Sequence, residues 1–251
     1  MKEWYQQTKE ELLEHFRVTE HGLTGEEAGQ RLAESGENVL KEGKRKSILQ
    51  VFFEQFCDLL VVILIIAALI SMVSGNVEST IVIIAVIVLN AILGTVQHAK
   101  AEKSLDSLKS LSSPSTKVMR DGHKIEVPSA QVVPGDILYL EAGDLVVADG
   151  RILENYSLQV NESSLTGEST NVDKSDGLIH DDCALADRAN MVYSSGLVTY
   201  GRAVVLVTAT GMDTEIGKIA ALMNATKEKK TPLQISLDQF GSRLAMAIMV
   251  I

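Results

Sequence analysis

Two uncharged runs dominate the hydrophobic pattern of this chain. Leu59 to Val73 passes 15 residues without a charge, led in by Phe52, Phe53 and Phe56, and Ile81 to Val96 passes 16. Each run is a little short of the roughly 20 residues that span a bilayer as helix, and the lead-in turn and helical continuation supply the difference. The connector Ser74 to Thr80 has no Lys or Arg, whereas Lys41, Lys44, Arg45 and Lys46 precede the first run and Lys100, Lys103 and Lys109 follow the second. This asymmetry predicts a membrane hairpin with both ends cytoplasmic. The alternative, a buried two-helix core in a soluble protein, is disfavoured by the same asymmetry and by the lack of other helices to cover it. From Ala99 to Leu111 the helical pattern carries on, with Leu105, Leu108 and Leu111 recurring among charged residues. The second helix is therefore expected to continue as a stalk until Ser112-Ser113-Pro114 ends it.

Ahead of these runs the pattern is that of short amphipathic helices. Thr8 is followed three residues later by Glu11, and Thr24 by Glu27, which is capping-box spacing. Leu12, Leu13 and Phe16 then share one side of the first helix, and Gly36 is a stop for the second. A small packing module without chemistry is the expectation. After Pro114 the period changes to that of strands: Thr116 to Arg120 and Lys124 to Val127 flank Asp121-Gly122, a hairpin signal. Pro134-Gly135-Asp136, Gly143-Asp144 and Asp149-Gly150 punctuate short runs rich in Val, Ile and Leu, and further strands are expected at Ser157 to Val160, Met191 to Tyr193 and Arg202 to Thr208. Many short strands with regular turns predict an all-β roll or sandwich. Asp213 to Asn224 reads as helix again, and Phe240 to Ile251 as the first turns of another membrane helix.

Composition narrows the function classes. The chain is 46% hydrophobic and 22% charged, enough for a membrane part plus one or two soluble domains. A net charge of -10 argues against nucleic acid as a partner. Met1-Lys2-Glu3-Trp4 opens a charged segment with no apolar core, which predicts no cleavable secretory signal. Cys57 and Cys183 lack partners at zinc spacing and are expected to be free thiols. His180, Asp181, Asp182 and Cys183 are adjacent on irregular backbone, where side chains rarely converge on one ion, so a solvated loop is expected and no metal site. The sequons at Asn155, Asn161 and Asn224 fall on the side predicted to be cytoplasmic and are expected to be inert. Asp58 and Asn90 sit at or in the apolar helices, where polar groups are costly and often functional.

The candidate chemistry lies in Leu165-Thr166-Gly167-Glu168-Ser169. A Glu beside Gly sits on backbone that can turn tightly and approach another surface closely. Its carboxylate can accept a proton from water or orient that water, while Thr166 and Ser169 offer hydroxyls to the carboxylate or to a substrate oxygen. Taken alone, four such common residues are better described as a surface turn with a solvated Glu, and context must overturn that reading.

Several ordered stretches give that turn a context. Gln55 to Leu60, Asn90-Ala91-Ile92, Pro134-Gly135-Asp136-Ile137, Asn161 to Ser169, Thr210-Gly211 with Thr214 to Lys218, and Thr231 to Gln234 together resemble the N-terminal third of a P-type cation-transporting ATPase, most of all the calcium-pump branch. The resemblance covers essentially all 251 residues. It implies a multi-domain α+β membrane protein divided as 1–46 helical extension, 47–98 transmembrane helical hairpin, 99–113 stalk, 114–226 cytoplasmic β-rich actuator domain, distorted jelly-roll-like, and 227–251 linker with the start of a third membrane helix. The implied activity is ATP-driven cation transport, with calcium as the cation and a bacterial plasma membrane as the setting. Glu168 would position and deprotonate the water that hydrolyses an aspartyl phosphate, and Thr166, Gly167 and Ser169 would shape the turn against the phosphate. Rotation of the actuator would be passed to the first two membrane helices as a rigid-body switch. ATP and Mg2+ are implied for the whole pump, and the lipid bilayer and the phosphorylation and nucleotide-binding domains as its partners. The 251 residues contain no Asp-Lys-Thr-Gly phosphorylation motif, so a complete cycle is not expected of them alone. Asn171 stands where a proline is usual in this family, and Cys57 precedes Asp58 where calcium pumps often have a second acid. A sodium/potassium-type or proton pump, and a non-enzymatic membrane-anchored regulatory module, are the competing readings.

Overall fold

The computed structural model describes residues 2–41, 47–111, 114–225 and 231–250. Met1, Lys44, Arg45, Lys46, Ser112, Ser113 and Ile251, all named above, lie outside the described residues. In chain order the helices are α1 (Lys9–Phe16), α2 (Gly25–Ser35), α3 (Ile48–Glu54), α4 (Leu59–Val73), α5 (Val77–Leu111), α6 (Ser163–Thr166), α7 (Glu215–Ala225) and α8 (Pro232–Val250). The strands are β1 (Ser115–Arg120), β2 (His123–Pro128), β3 (Ile137–Glu141), β4 (Asp149–Asn161), β5 (Asn171–Asp173), β6 (Met191–Val192) and β7 (Leu197–Ala209). Two compact units result, Met1–Glu42 with Ser113–Thr226, and Gly43–Ser112 with Lys227–Ile251.

The first unit is built on an antiparallel sheet of order β2-β1-β3-β7-β4-β5, with β6 paired to β4. Asp121 and Gly122 both take positive φ, 51° and 74°, the backbone of a two-residue hairpin turn whose twist matches the flanking strands. Alternation along β3 and β7 assigns the two faces. Leu138, Leu140, Ala203, Val205 and Val207 enter one buried cluster with Val118, Ile152 and Val160, while Ile137 and Leu206 enter another with Leu12, Val18, Leu23 and Ala28 of the helical extension. Both capping boxes form: Thr8 Oγ1 accepts from the Glu11 amide and the Glu11 carboxylate accepts from the Thr8 amide at 2.9 Å, and Thr24 pairs with Glu27 in the same way. Gly36 ends α2 at φ 78°. Asn38 ties the segment after α2 to the sheet domain, donating to the Ser129 and Val147 carbonyls and accepting from the Gly211 amide at 2.7 Å.

Two features of β4 depart from the sequence expectation. The strand is 13 residues long rather than a short run from Ser157, because bulges near Ile152 and Tyr156 let it stay paired with β7 over its whole length. Asp149-Gly150, read as a turn, instead begins that strand. The Asp149 carboxylate is buried and accepts from the amides of Ser194 at 2.8 Å and Glu215 at 2.7 Å. Gly150 is needed for close approach, since a Cβ there would overlap Val205 Cγ1 and stand 2.8 Å from the Leu206 carbonyl oxygen.

In the second unit, α5 runs for 35 residues, about 52 Å at 1.5 Å per residue, and its stretch Val77–Leu105 is long and apolar enough to cross a membrane. The 15-residue α4 is shorter, and reaches that length only together with α3 and Gln55–Cys57, across a bend of 66°. Asp58 occupies the start of α4, its carbonyl accepting from the Val62 amide. Val61 and Ala68 of α4 and Ile87 and Ala91 of α5 are buried, and Thr80 Oγ1 reaches the Ala68 carbonyl at 3.5 Å. Leu69, Met72, Ile81, Val82 and Leu89 stay exposed. Asn90 is exposed on the same helix.

Candidate functional site: the Thr166–Ser169 turn

The turn is assembled from its preceding carbonyl outward. The Glu162 carbonyl accepts from the amides of Leu165 at 2.9 Å and Thr166 at 3.0 Å, and from Thr166 Oγ1 at 3.2 Å. Asn161, two residues before Ser163, leads into this single turn of helix, its Oδ1 accepting from the Ser163 amide and hydroxyl. Gly167 then reverses the chain in the left-handed region at φ 78°, its amide bonded to the Ser163 carbonyl. The Glu168 amide donates to Thr166 Oγ1 at 3.3 Å, so the one hydroxyl links both sides of the reversal. On the far side Asn161 Nδ2 donates to the Ser169 carbonyl and to Asn171 Oδ1, each at 3.4 Å, as β5 pairs with the end of β4.

The four expected site residues are thereby brought onto one tight reversal. Thr166 is half-buried and structural in its contacts, whereas Gly167, Glu168 and Ser169 are exposed. Nothing lies within 4 Å of where a Gly167 Cβ would be, so the apex is open to another surface. The sheet domain thus presents a carboxylate at the tip of a turn fastened at both ends. Chemically this can accept a proton from, or orient, a water brought against it.

Beneath the turn lies a group that patterning did not single out. Glu162 and Lys174 form an ion pair at 2.7 Å with side chains 1% and 0% exposed. Burial raises the Glu162 carboxyl and lowers the Lys174 ammonium, and each partner's charge opposes the other's shift. The Lys174 ammonium is also 5.7 Å from the centre of the buried Tyr193 ring. Leu165 packs with Tyr5, Met191 and Tyr193, which brings the N-terminal segment under the same turn. Asp182, one of the four residues weighed for a metal, accepts from the Tyr5 hydroxyl at 2.9 Å, and the His180 carbonyl accepts from Gln6. Among the described residues no grouping of three or more His, Cys, Asp or Glu side chains could hold a metal ion. A cavity of about 430 Å³ lies elsewhere, lined by Lys9, Glu20, Lys124, Tyr139, Glu154 and Arg202 among others, and includes none of the turn residues.

Comparison with known proteins gives this arrangement its family. The P-type ATPase actuator domain matches residues 110–224, which contain the whole turn, and the cation transporter/ATPase N-terminus matches residues 4–71. The chain belongs to the P-type ATPase family. Its sheet domain is an actuator domain and its helical extension a cation-ATPase N-terminal domain. Similar relatives are a calcium-transporting ATPase of Listeria monocytogenes, 43% identical over 99% of this chain, one of Lactococcus lactis, 42% over 98%, and one of Bacillus cereus, 44% over 100%. The chain spans 28% to 29% of the length of these P-type ATPases.

Proposed function

We propose that this chain supplies the actuator and leading membrane part of an ATP-driven calcium pump. The observation that carries the catalytic part of this reading is the Glu168 carboxylate, exposed at the open apex of a turn whose two ends are fastened to β4 and β5. In the proposed step, water attacks the phosphorus of an aspartyl phosphate held elsewhere in the pump. The bond from phosphorus to the aspartyl oxygen breaks, and the water proton passes to Glu168. Thr166 holds the Glu168 amide, Gly167 permits the reversal and the close approach, and Ser169 borders the phosphate. ATP and Mg2+ serve the pump as a whole. No step here is assigned to that ion.

The division of the chain into extension 1–46, hairpin 47–98, stalk 99–113, actuator 114–226 with a distorted jelly-roll-like sheet, and linker with third helix 227–251 belongs to the same proposal. So does the topology: α3 to α5 form a hairpin in the bilayer, in a bacterial plasma membrane, with both ends and the actuator cytoplasmic. The exposed apolar side chains of α4 and α5 support it, as does a connector without Lys or Arg between a basic start and end. Calcium is favoured by relatives whose names are calcium-transporting ATPases. The reading frame that carries this sequence, expressed in sealed membrane vesicles, is expected to show ATP hydrolysis and ion uptake stimulated by calcium. Stimulation by sodium and potassium, or acidification without calcium uptake, would overturn the ion assignment.

A further inference from the structure

The turn that presents Glu168 stands on two chain segments, and a pair of opposite charges joins them from below. Glu162 precedes α6 and its carbonyl accepts three of the hydrogen bonds that form the turn. Lys174 follows β5, the strand that leads away from the turn, and its own amide is bonded to the Leu158 carbonyl of β4 at 2.9 Å. Their side chains meet at 2.7 Å with no measurable exposure to solvent beyond 1%. Toward solvent the same two segments are tied by Gln159 Nε2, which donates to Asp173 Oδ1 at 2.8 Å, and nearer the turn by the longer bonds of Asn161.

We propose that the buried Glu162–Lys174 ion pair is the positioning element of the Thr166–Ser169 turn, fixing where the Glu168 carboxylate stands. Burial makes the pair act as a unit. A buried charge that loses its partner is strongly unfavourable, whereas removing both charges with volume kept is often nearly neutral. An orphaned Lys174 or Glu162 reaches water most directly by displacing the residues above it, and those residues are the base of the turn. Neither side chain touches the reacting atoms, so both are positioning residues. Misplacement of a reacting group by about 1 Å can cost on the order of 10²-fold in rate.

This inference rests on the role given to Glu168, and the test separates the two. In the full reading frame, the decay of the phosphoenzyme is followed after its formation from labelled ATP, in Glu162→Gln, Lys174→Met, the double variant of these, Glu168→Gln, and Glu162→Gln combined with Glu168→Gln. The expected results are slowed decay in each single variant, recovery toward the parent rate in the Glu162→Gln/Lys174→Met double, and no further slowing when Glu162→Gln is added to Glu168→Gln. Parent-like decay in Glu162→Gln and Lys174→Met while Glu168→Gln is slow overturns the positioning role and leaves the catalytic one intact. Effects of Glu162→Gln and Glu168→Gln that multiply overturn it as well, as does a charge-free double variant as slow as the singles. Parent-like decay in Glu168→Gln instead sinks the catalytic reading itself. Should the single variants not fold, Glu162→Asp keeps the charge and shortens the reach, and is expected to slow decay. A readout independent of turnover is amide hydrogen exchange at Gly167 and Glu168, which should accelerate in Glu162→Asp and return to parent values in the double variant. Unchanged exchange in Glu162→Asp contradicts the proposal.

Discussion

Replacing Gly201 by Ala should unseat the long β4/β7 ladder on which the Glu168 turn is mounted. Gly201 has φ 77°, and opposite it Ser157 also has positive φ, 52°, at the bulge between Tyr156 and Gln159. A Cβ on Gly201 would overlap the Ser157 carbonyl oxygen, lie 2.5 Å from the Ser157 carbonyl carbon and 2.6 Å from the Tyr156 oxygen. All three are backbone atoms, so no rotamer change relieves the overlap and the strands must part. Gly167→Ala is the matched control, with φ 78° and nothing within 4 Å of its Cβ. The left-handed conformation alone costs an alanine about 1–2 kcal/mol, which is what Gly167→Ala should lose. Gly201→Ala adds the parting of the strands, for a total of roughly 4 kcal/mol, in the range reserved for major structural damage. For a unit of this size 1 kcal/mol corresponds to about 2–4 °C in melting temperature, which predicts a drop of roughly 10 °C or more for Gly201→Ala and a few degrees for Gly167→Ala. Trp4 is the single tryptophan of the chain and packs against His15 and Phe16, so its fluorescence during heating reports this unit. Equal melting temperatures for the two variants would refute the argument from close approach.

Three further outcomes follow from other contacts. Burial lifts the Asp149 carboxyl from 3.8 to about 6, so the folded state binds its proton more tightly than the unfolded state between those values. Its contribution to stability therefore falls as pH rises from 3.8 to about 6 and is level above, a change of up to ~3 kcal/mol that should be absent from the denaturation profile of Asp149→Asn. Tyr5→Phe removes the hydroxyl that donates to Asp182 and should cost about 1 kcal/mol by the same Trp4 melting assay, with no cost contradicting the contact. In a Cys57→Ser/Cys183→Ser background, a cysteine at Asn76 should be modified by an impermeant maleimide added outside intact cells and one at Lys100 should not; the reverse pattern contradicts the topology.

Local signals in the sequence carried far. The capping boxes at Thr8 and Thr24 and the Asp121-Gly122 hairpin were legible because each is decided within four residues. The bounds of α4 coincide with the uncharged run Leu59 to Val73 because the polar residues on either side end it. Asp149-Gly150 misled because a glycine serving close approach inside a strand carries the same letters as one serving a turn. The geometry of the candidate turn was only partly legible. Glu168 and its neighbours announce themselves by a hydroxyl, a glycine and a carboxylate in succession. Glu162 and Lys174 look like ordinary solvated charges, since their pairing exists only once β5 folds back along β4 and buries both.

The central claim is that Glu168 removes the proton from the water that attacks the aspartyl phosphate. The most direct measurement is the lifetime of the phosphoenzyme formed by the full reading frame, parent against Glu168→Gln, which keeps the shape of the side chain and removes its basicity. The account predicts unchanged formation of the phosphoenzyme and a lifetime longer by on the order of 10²-fold or more, the usual contribution of a positioned base. A phosphoenzyme that decays in Glu168→Gln as fast as in the parent would contradict it.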